Sequence, residues 1–217
     1  MRRLAIIVSI VLGSLLLLFI CADIGLRIAA QYYVGRSLQA SLDLSHRPGV
    51  KLGGFPFVFR LLSGDVPSVT VRADDVLSSG LRFQEIDLTL HEVEVAPGEV
   101  LSGDKREVRA KDGSGTATLS AEDATEALGD QGVPLTVRFE GGDAVISAPG
   151  IAGEVRASVS LSGKKLVLSP VSDSLLASFS LSLPEVVQGI KYTGVSIEGS
   201  VAMLSFTLTE PVFELAE

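Results

Sequence analysis

The chain has 217 residues, 18 basic and 26 acidic side chains, and a net charge of −8, with 47% hydrophobic residues. That length admits a self-supporting core, and the acidic balance argues against binding nucleic acid or an anionic surface through bulk charge. The single cysteine, Cys21, excludes an intramolecular disulfide, so a domain outside the cytoplasm stands on its core alone.

Arg2 and Arg3 precede 19 uncharged residues, 4–22. As a helix this run spans roughly 28 Å, close to the thickness of a bilayer core. Basic residues on its short N-terminal side predict that end in the cytoplasm and the remainder outside. The run exceeds the apolar stretch of an ordinary signal peptide, and Phe19-Ile20-Cys21-Ala22-Asp23 is a poor A-x-A cleavage site. Leu18-Phe19-Ile20-Cys21 matches a lipoprotein acylation motif only weakly, because Ile stands before the Cys. The expectation is an uncleaved anchor over residues 1–22, with a cleaved signal or a lipoprotein as alternatives. All three place residues 23–217 in one extracytoplasmic domain. Beyond residue 3 the balance is 16 basic against 26 acidic side chains, with no basic run that could track phosphates.

Residues 23–44 predict a helix, with Asp23 as its cap and Ile24, Ile28, Leu38 and Leu42 at helical spacing; it either continues the membrane helix or forms a long core helix. Tyr32 and Tyr33 suit either a membrane interface or the domain core. Next comes Gly53-Gly54-Phe55-Pro56-Phe57-Val58-Phe59-Arg60-Leu61-Leu62-Ser63-Gly64. The glycines permit a tight bend, Pro56 can open a short helix, and Gly64 can close it.

From Val66 onward the period becomes two. Val69 and Val71 alternate with polar residues, as do Ile86, Leu88 and Leu90. The phase slips at His91-Glu92 before Val93 and Val95, the pattern of a β-bulge. Ser120 with Asp123 predicts a capped helix over 121–128. Leu135, Val137 and Phe139 form a strand that Gly141-Gly142 turns into Ala144-Val145-Ile146. Val155 to Leu161, Leu166 with Leu168, Ala177 to Leu183, Val195 with Ile197, and Leu204 to Leu208 supply further strands. Roughly nine strands with one apolar face and two or three helices predict an α+β, mostly β, fold. A sandwich, a barrel or a curved antiparallel sheet around a helix would bury that face, and the long helix ahead of the strands favours the last.

No catalytic constellation emerges. His46 and His91 are the only histidines and lack metal-ligand spacing, no G-x-S-x-G elbow occurs, and Ser178, Ser180 and Ser182 read as the wet face of a strand. The expectation is no enzyme, no metal and no cofactor. What stands out is apolar density: Phe55, Phe57, Phe59, Leu61 and Leu62 fall within eight residues. Either they plug the end of the core, or they form a cavity mouth or dip into lipid.

Gly54-Phe55-Pro56-Phe57, Leu61-Leu62-Ser63-Gly64 and Val69-Thr70-Val71-Arg72-Ala73-Asp74 together resemble the signature of an actinobacterial family of phospholipid-binding envelope proteins, which includes a lipomannan elongation factor. Leu183-Pro184, Gly189-Ile190 and Val195-Ser196-Ile197-Glu198-Gly199 resemble its closing segment, and 96–135 matches little. The resemblance implies a fold similar to tubular lipid-binding proteins, with a curved antiparallel sheet wrapped around a long helix and an apolar cavity. It implies a periplasmic-side location and a phospholipid or glycolipid partner, in support of lipid or lipoglycan transport or maturation. On this reading Phe55, Phe57, Phe59, Leu61, Leu62, Val69, Val71, Ile86 and Leu88 guard or line the cavity, and Arg60 and Arg72 are headgroup candidates. The rival reading is an envelope scaffold that binds other proteins and has a filled core.

Overall fold

The structure is a computed structural model that describes residues 2–42, 44–95, 106–150, 153–171, 177–185, 187 and 189–215. Part of the unmatched stretch, residues 96–105, lies outside the described residues. The described residues form three helices and twelve strands, three more strands than the periodicity suggests.

Helix α1 (Arg2–Ser41) is one unbroken helix of 40 residues, roughly 60 Å long, so the apolar run and the following helix are continuous. Asp23 therefore caps nothing in α1. It sits mid-helix and is buried, and its use lies elsewhere. Gly35 is packed: a Cβ there would stand 3.1 Å from the Pro48 carbonyl, where the chain crosses back over the helix.

Strands β1 (Gly49–Leu52), β2 (Asp65–Ser78), β3 (Leu81–Val95), β4 (Arg106–Ser120), β10 (Ile190–Glu198), β11 (Val201–Thr209) and β12 (Val212–Leu215) make one antiparallel sheet. Its order is β1-β2-β3-β4-β11-β10, with β12 extending the line of β11 along β4. The sheet curls as a half-barrel toward α1. A second antiparallel sheet is a meander of β5 (Thr136–Glu140), β6 (Asp143–Ser147), β7 (Val155–Ser162), β8 (Lys165–Pro170) and β9 (Phe179–Ser182). It contacts the first through β10 and helix α3 (Ala121–Asp130), and one hydrophobic cluster draws on both sheets. As the sequence predicts, the Ser120 hydroxyl accepts from the Asp123 N–H at 3.0 Å, and both Gly141 and Gly142 have positive φ in the β5–β6 turn.

The phase slip at His91-Glu92 is real, but it is not a one-strand bulge. Pairing of β3 with β2 and with β4 holds the same register on both sides of Glu92. The neighbours slip together instead. Pro67 on β2, Glu92 on β3, Lys111 on β4 and Glu210, between β11 and β12, lie at one level across the sheet. Glu92 and Glu210 take the left-handed backbone conformation there, with φ of 49° and 46°. The result is a crease: Leu90 and Val93 are an odd number of residues apart, yet both face the space under the sheet. The pieces beyond the crease, Val95, Val108 and Phe213, thereby join the same wall as Leu88 and Phe206.

Candidate lipid-binding site

Between α1 and the curled sheet lies a cavity of about 690 Å³. Leu26, Ala29, Ala30, Tyr33, Val34 and Leu38 of α1, with Leu42 just after it, form one side. The sheet forms the other, chiefly with Val69, Val71 and Ala73 of β2, Ile86, Leu88 and Leu90 of β3, Tyr192 of β10 and Phe206 of β11. From Leu26 to Leu42 the chain rises about 24 Å, longer than the roughly 15 Å of a single hydrocarbon leaflet. Among the described residues, no charged side chain lines the wall. Of the polar groups there, the Ser41 hydroxyl donates to the Ser37 carbonyl at 2.9 Å and the Tyr192 hydroxyl to the Pro184 carbonyl at 2.9 Å. Burial pushes the Tyr192 phenol up to about 12, so it stays neutral at physiological pH. Such a surface offers dispersion and exclusion of water, the two terms that hold a hydrocarbon chain.

Small residues shape the ceiling. Gly113 and Gly115 of β4 stand opposite Leu90 and Leu88 on one side and Leu208 and Phe206 on the other. A Cβ on Gly115 would come within 2.3 Å of the Asp87 carbonyl and 2.6 Å of the Phe206 ring, so the glycine lets that ring lie across the backbone.

The apolar segment singled out in the sequence folds as helix α2 (Phe57–Ser63) at one end of the cavity. Pro56 precedes its first turn in extended conformation with no side-chain cap of its own, and Gly64 closes it at φ 74°. The missing cap comes from α1: the Asp23 carboxylate accepts the Val58 N–H at 2.9 Å. One turn further along α1, the Arg27 guanidinium donates to the Gly54 carbonyl and lies 5.9 Å from the centre of the Phe57 ring. Gly54 takes a φ of 93°, and Gly53 passes so close to Ser68 that a Cβ would meet its hydroxyl oxygen at 2.2 Å. The Gly-Phe-Pro-Phe run is thus a docking device between α1 and β2.

Six of the expected lining residues face the cavity: Phe57, Leu61, Val69, Val71, Ile86 and Leu88. Phe55, Phe59 and Leu62 point away from it and are 64%, 61% and 70% exposed. Arg60 sits on α2 beside Leu61, in an exposed ion pair with Asp65 at 3.4 Å. Arg72 belongs to the outer face of β2. It is hydrogen-bonded to Glu85 and faces Asp87 at 3.9 Å, and these acids hold its pKa above the usual value.

A family model described as LmeA-like phospholipid-binding matches residues 21–201. The chain belongs to this family. No curated protein and no solved structure matches it. The LmeA-like match covers Asp23, Arg27, all of α2 and the described cavity wall up to β10, leaving out Phe206 of β11 and Val212 and Phe213 of β12. The contribution of α1 was the part of this LmeA-like site least visible in the sequence. Ile24 and Ile28, which set the helical phase there, are exposed, and the cavity stripe runs instead through Leu26, Ala30, Val34 and Leu38. The i, i+4 spacing of those four residues was the available signal. Tyr32 and Tyr33 divide: Tyr33 lines the cavity, while the Tyr32 ring lies 4.5 Å from the Arg47 guanidinium.

Proposed function

We propose that the chain is a membrane-anchored, extracytoplasmic phospholipid-binding protein of the cell envelope, whose cavity shelters acyl chains between α1 and the sheet. The single observation that supports this most is the uncharged cavity of about 690 Å³ in a member of a phospholipid-binding family. The scaffold reading calls for a filled core, and the space under the sheet is open. Residues 4–22 act as the anchor: a stretch of mean hydropathy 2.0, almost all exposed, lies within Leu12–Ser41 of α1, which overlaps the end of that run. Burying ten methylenes is worth about 8 kcal/mol, enough on its own for roughly micromolar retention before ordering costs are subtracted. Phospholipid or glycolipid both fit this chemistry, and the activity supported is transport or maturation of lipid or lipoglycan rather than catalysis. Arg60 is the headgroup contact on this reading, since it stands on α2 next to the cavity wall; Arg72 is committed to acids on the far face.

The test is a phospholipid with a photoactivatable group near its acyl terminus, added to vesicles that hold the full chain. Cross-links at Val71, Leu88 or Phe206, read by peptide mass spectrometry, are expected, because annular lipid does not reach beneath the sheet. Cross-links confined to residues 4–22 and α2 would remove the cavity from the function. Arg60→Ala is expected to weaken cavity labelling by anionic phospholipid.

A further inference from the structure

The apolar segment from Phe55 to Leu62 carries three large side chains that the cavity does not use. α2 has seven residues, and among them Phe57 is buried while Leu61 turns to the cavity. Phe59 and Leu62 on the same helix, and Phe55 just before it, are more than three-fifths exposed. Three neighbouring side chains of this size left in water form a patch that a monomeric soluble surface rarely keeps without use. Their position identifies the occupant. The Phe59 ring stands 5.9 Å from the ring of Phe19, which lies inside the uncharged run, and Asp23, the first charged residue after that run, caps α2 through Val58. Arg27 grips Gly54 one turn further on. Contacts at 19, 23 and 27 hold α2 against about 12 Å of α1, straddling the end of the apolar run. The exposed patch is therefore continuous with the exposed leucines of α1, Leu15 to Leu18. Arg60 and Asp65 provide a charged edge on the same element, suited to headgroup depth.

We propose that α2 is a membrane-inserted foot: Phe55, Phe59 and Leu62 enter the extracytoplasmic leaflet of the bilayer that α1 crosses. Phe57 and Leu61, on the opposite side of the same short helix, then open the end of the cavity at the lipid surface. An acyl chain leaves the leaflet and enters the cavity along one apolar path, without crossing water. This rests on the reading of residues 4–22 as a membrane span.

The chain contains no tryptophan, so a single introduced Trp is an unambiguous reporter. The full-length variants Phe19→Trp, Phe59→Trp, Leu62→Trp and Leu77→Trp are placed in phosphatidylcholine vesicles with and without brominated acyl chains. Leu77 is the control, 64% exposed near the β2–β3 turn and outside the proposed foot. Phe19→Trp, Phe59→Trp and Leu62→Trp are expected to emit toward the blue and to lose most of their intensity to bromine, and Leu77→Trp to keep both its red emission and its intensity. Quenching of Phe19→Trp with neither Phe59→Trp nor Leu62→Trp quenched would overturn the foot and leave the anchor standing. No quenching of Phe19→Trp would overturn both together. Cavity labelling by the photoactivatable lipid is scored separately on each variant, so the foot and the lipid cavity can fail independently.

Discussion

Tyr192 shows how one side chain ties the cavity to stability. It is 7% exposed, its ring packs edge-on against Phe206 at 6.2 Å, and its hydroxyl donates to Pro184. Burial raises its pKa to about 12, from about 10 in an unfolded chain. Its contribution to stability is fully present below pH 10. Above that the unfolded chain gives up the proton while the folded chain keeps it, so stability falls as pH rises toward 12. The loss amounts to about 2–3 kcal/mol across that window. Urea unfolding at pH 8 and pH 11.5 should show this, and Tyr192→Phe should flatten the dependence; an unchanged slope would assign the alkaline loss to other groups. Gly115 teaches the opposite lesson about legibility. Nothing in Asp-Gly-Ser-Gly-Thr reads as a central strand, because at Gly113 and Gly115 β4 contributes space rather than side chains, and those positions are filled from Phe206, Leu208 and Leu90 of its neighbours.

Among the elements, α2 depends most on a distant partner. A seven-residue helix is far too short to persist alone, and its leading N–H groups need acceptors. Asp23 supplies one from 35 residues away. Asp23→Ala is expected to cost about 1 kcal/mol, the usual worth of a lost cap. Hydrogen exchange at the Val58 amide is expected to speed up, while α3, capped by its own Ser120, stays protected. Asp23→Asn keeps an acceptor and should retain most of the protection; equal exchange in Asp23→Ala and wild type would show the contact to be idle. The same comparison explains what the sequence revealed. The cap of α3 is local and was readable from Ser120 and Asp123, whereas the cap of α2 joins two segments that periodicity treats separately.

For the whole molecule, an open cavity makes a distinct claim about packing. In a filled core, replacing Leu88 by Trp would force neighbours apart at a cost of about 1–3 kcal/mol. Beside a space of about 690 Å³ the larger ring has room. Leu88→Trp is therefore expected to unfold in denaturant within about 1 kcal/mol of wild type, yet to take up clearly less photoactivatable lipid. A large stability loss would favour the scaffold reading. The crease at Pro67, Glu92, Lys111 and Glu210 belongs to this scale too, since it turns the ends of β2, β3 and β4, together with β12, toward α1. An exposed ion pair at 2.7 Å joins Glu92 to Lys111 across it.

The sequence alone determined the apolar run, the class of the fold, the strands whose inward side chains are large, and the two local caps at Ser120 and Gly64. Each of these is written in neighbours a few residues apart, through hydropathy period, turn chemistry or a helix end. Tertiary structure decided the rest: that α1 is continuous and presents Leu26, Ala30, Val34 and Leu38, that β4 runs through the middle of the sheet, that Arg72 faces away, and that Phe55, Phe59 and Leu62 stay outside. These depend on which face of an element meets another. That choice is made by packing between segments far apart in the chain, where a glycine's missing side chain counts as much as a phenylalanine's presence.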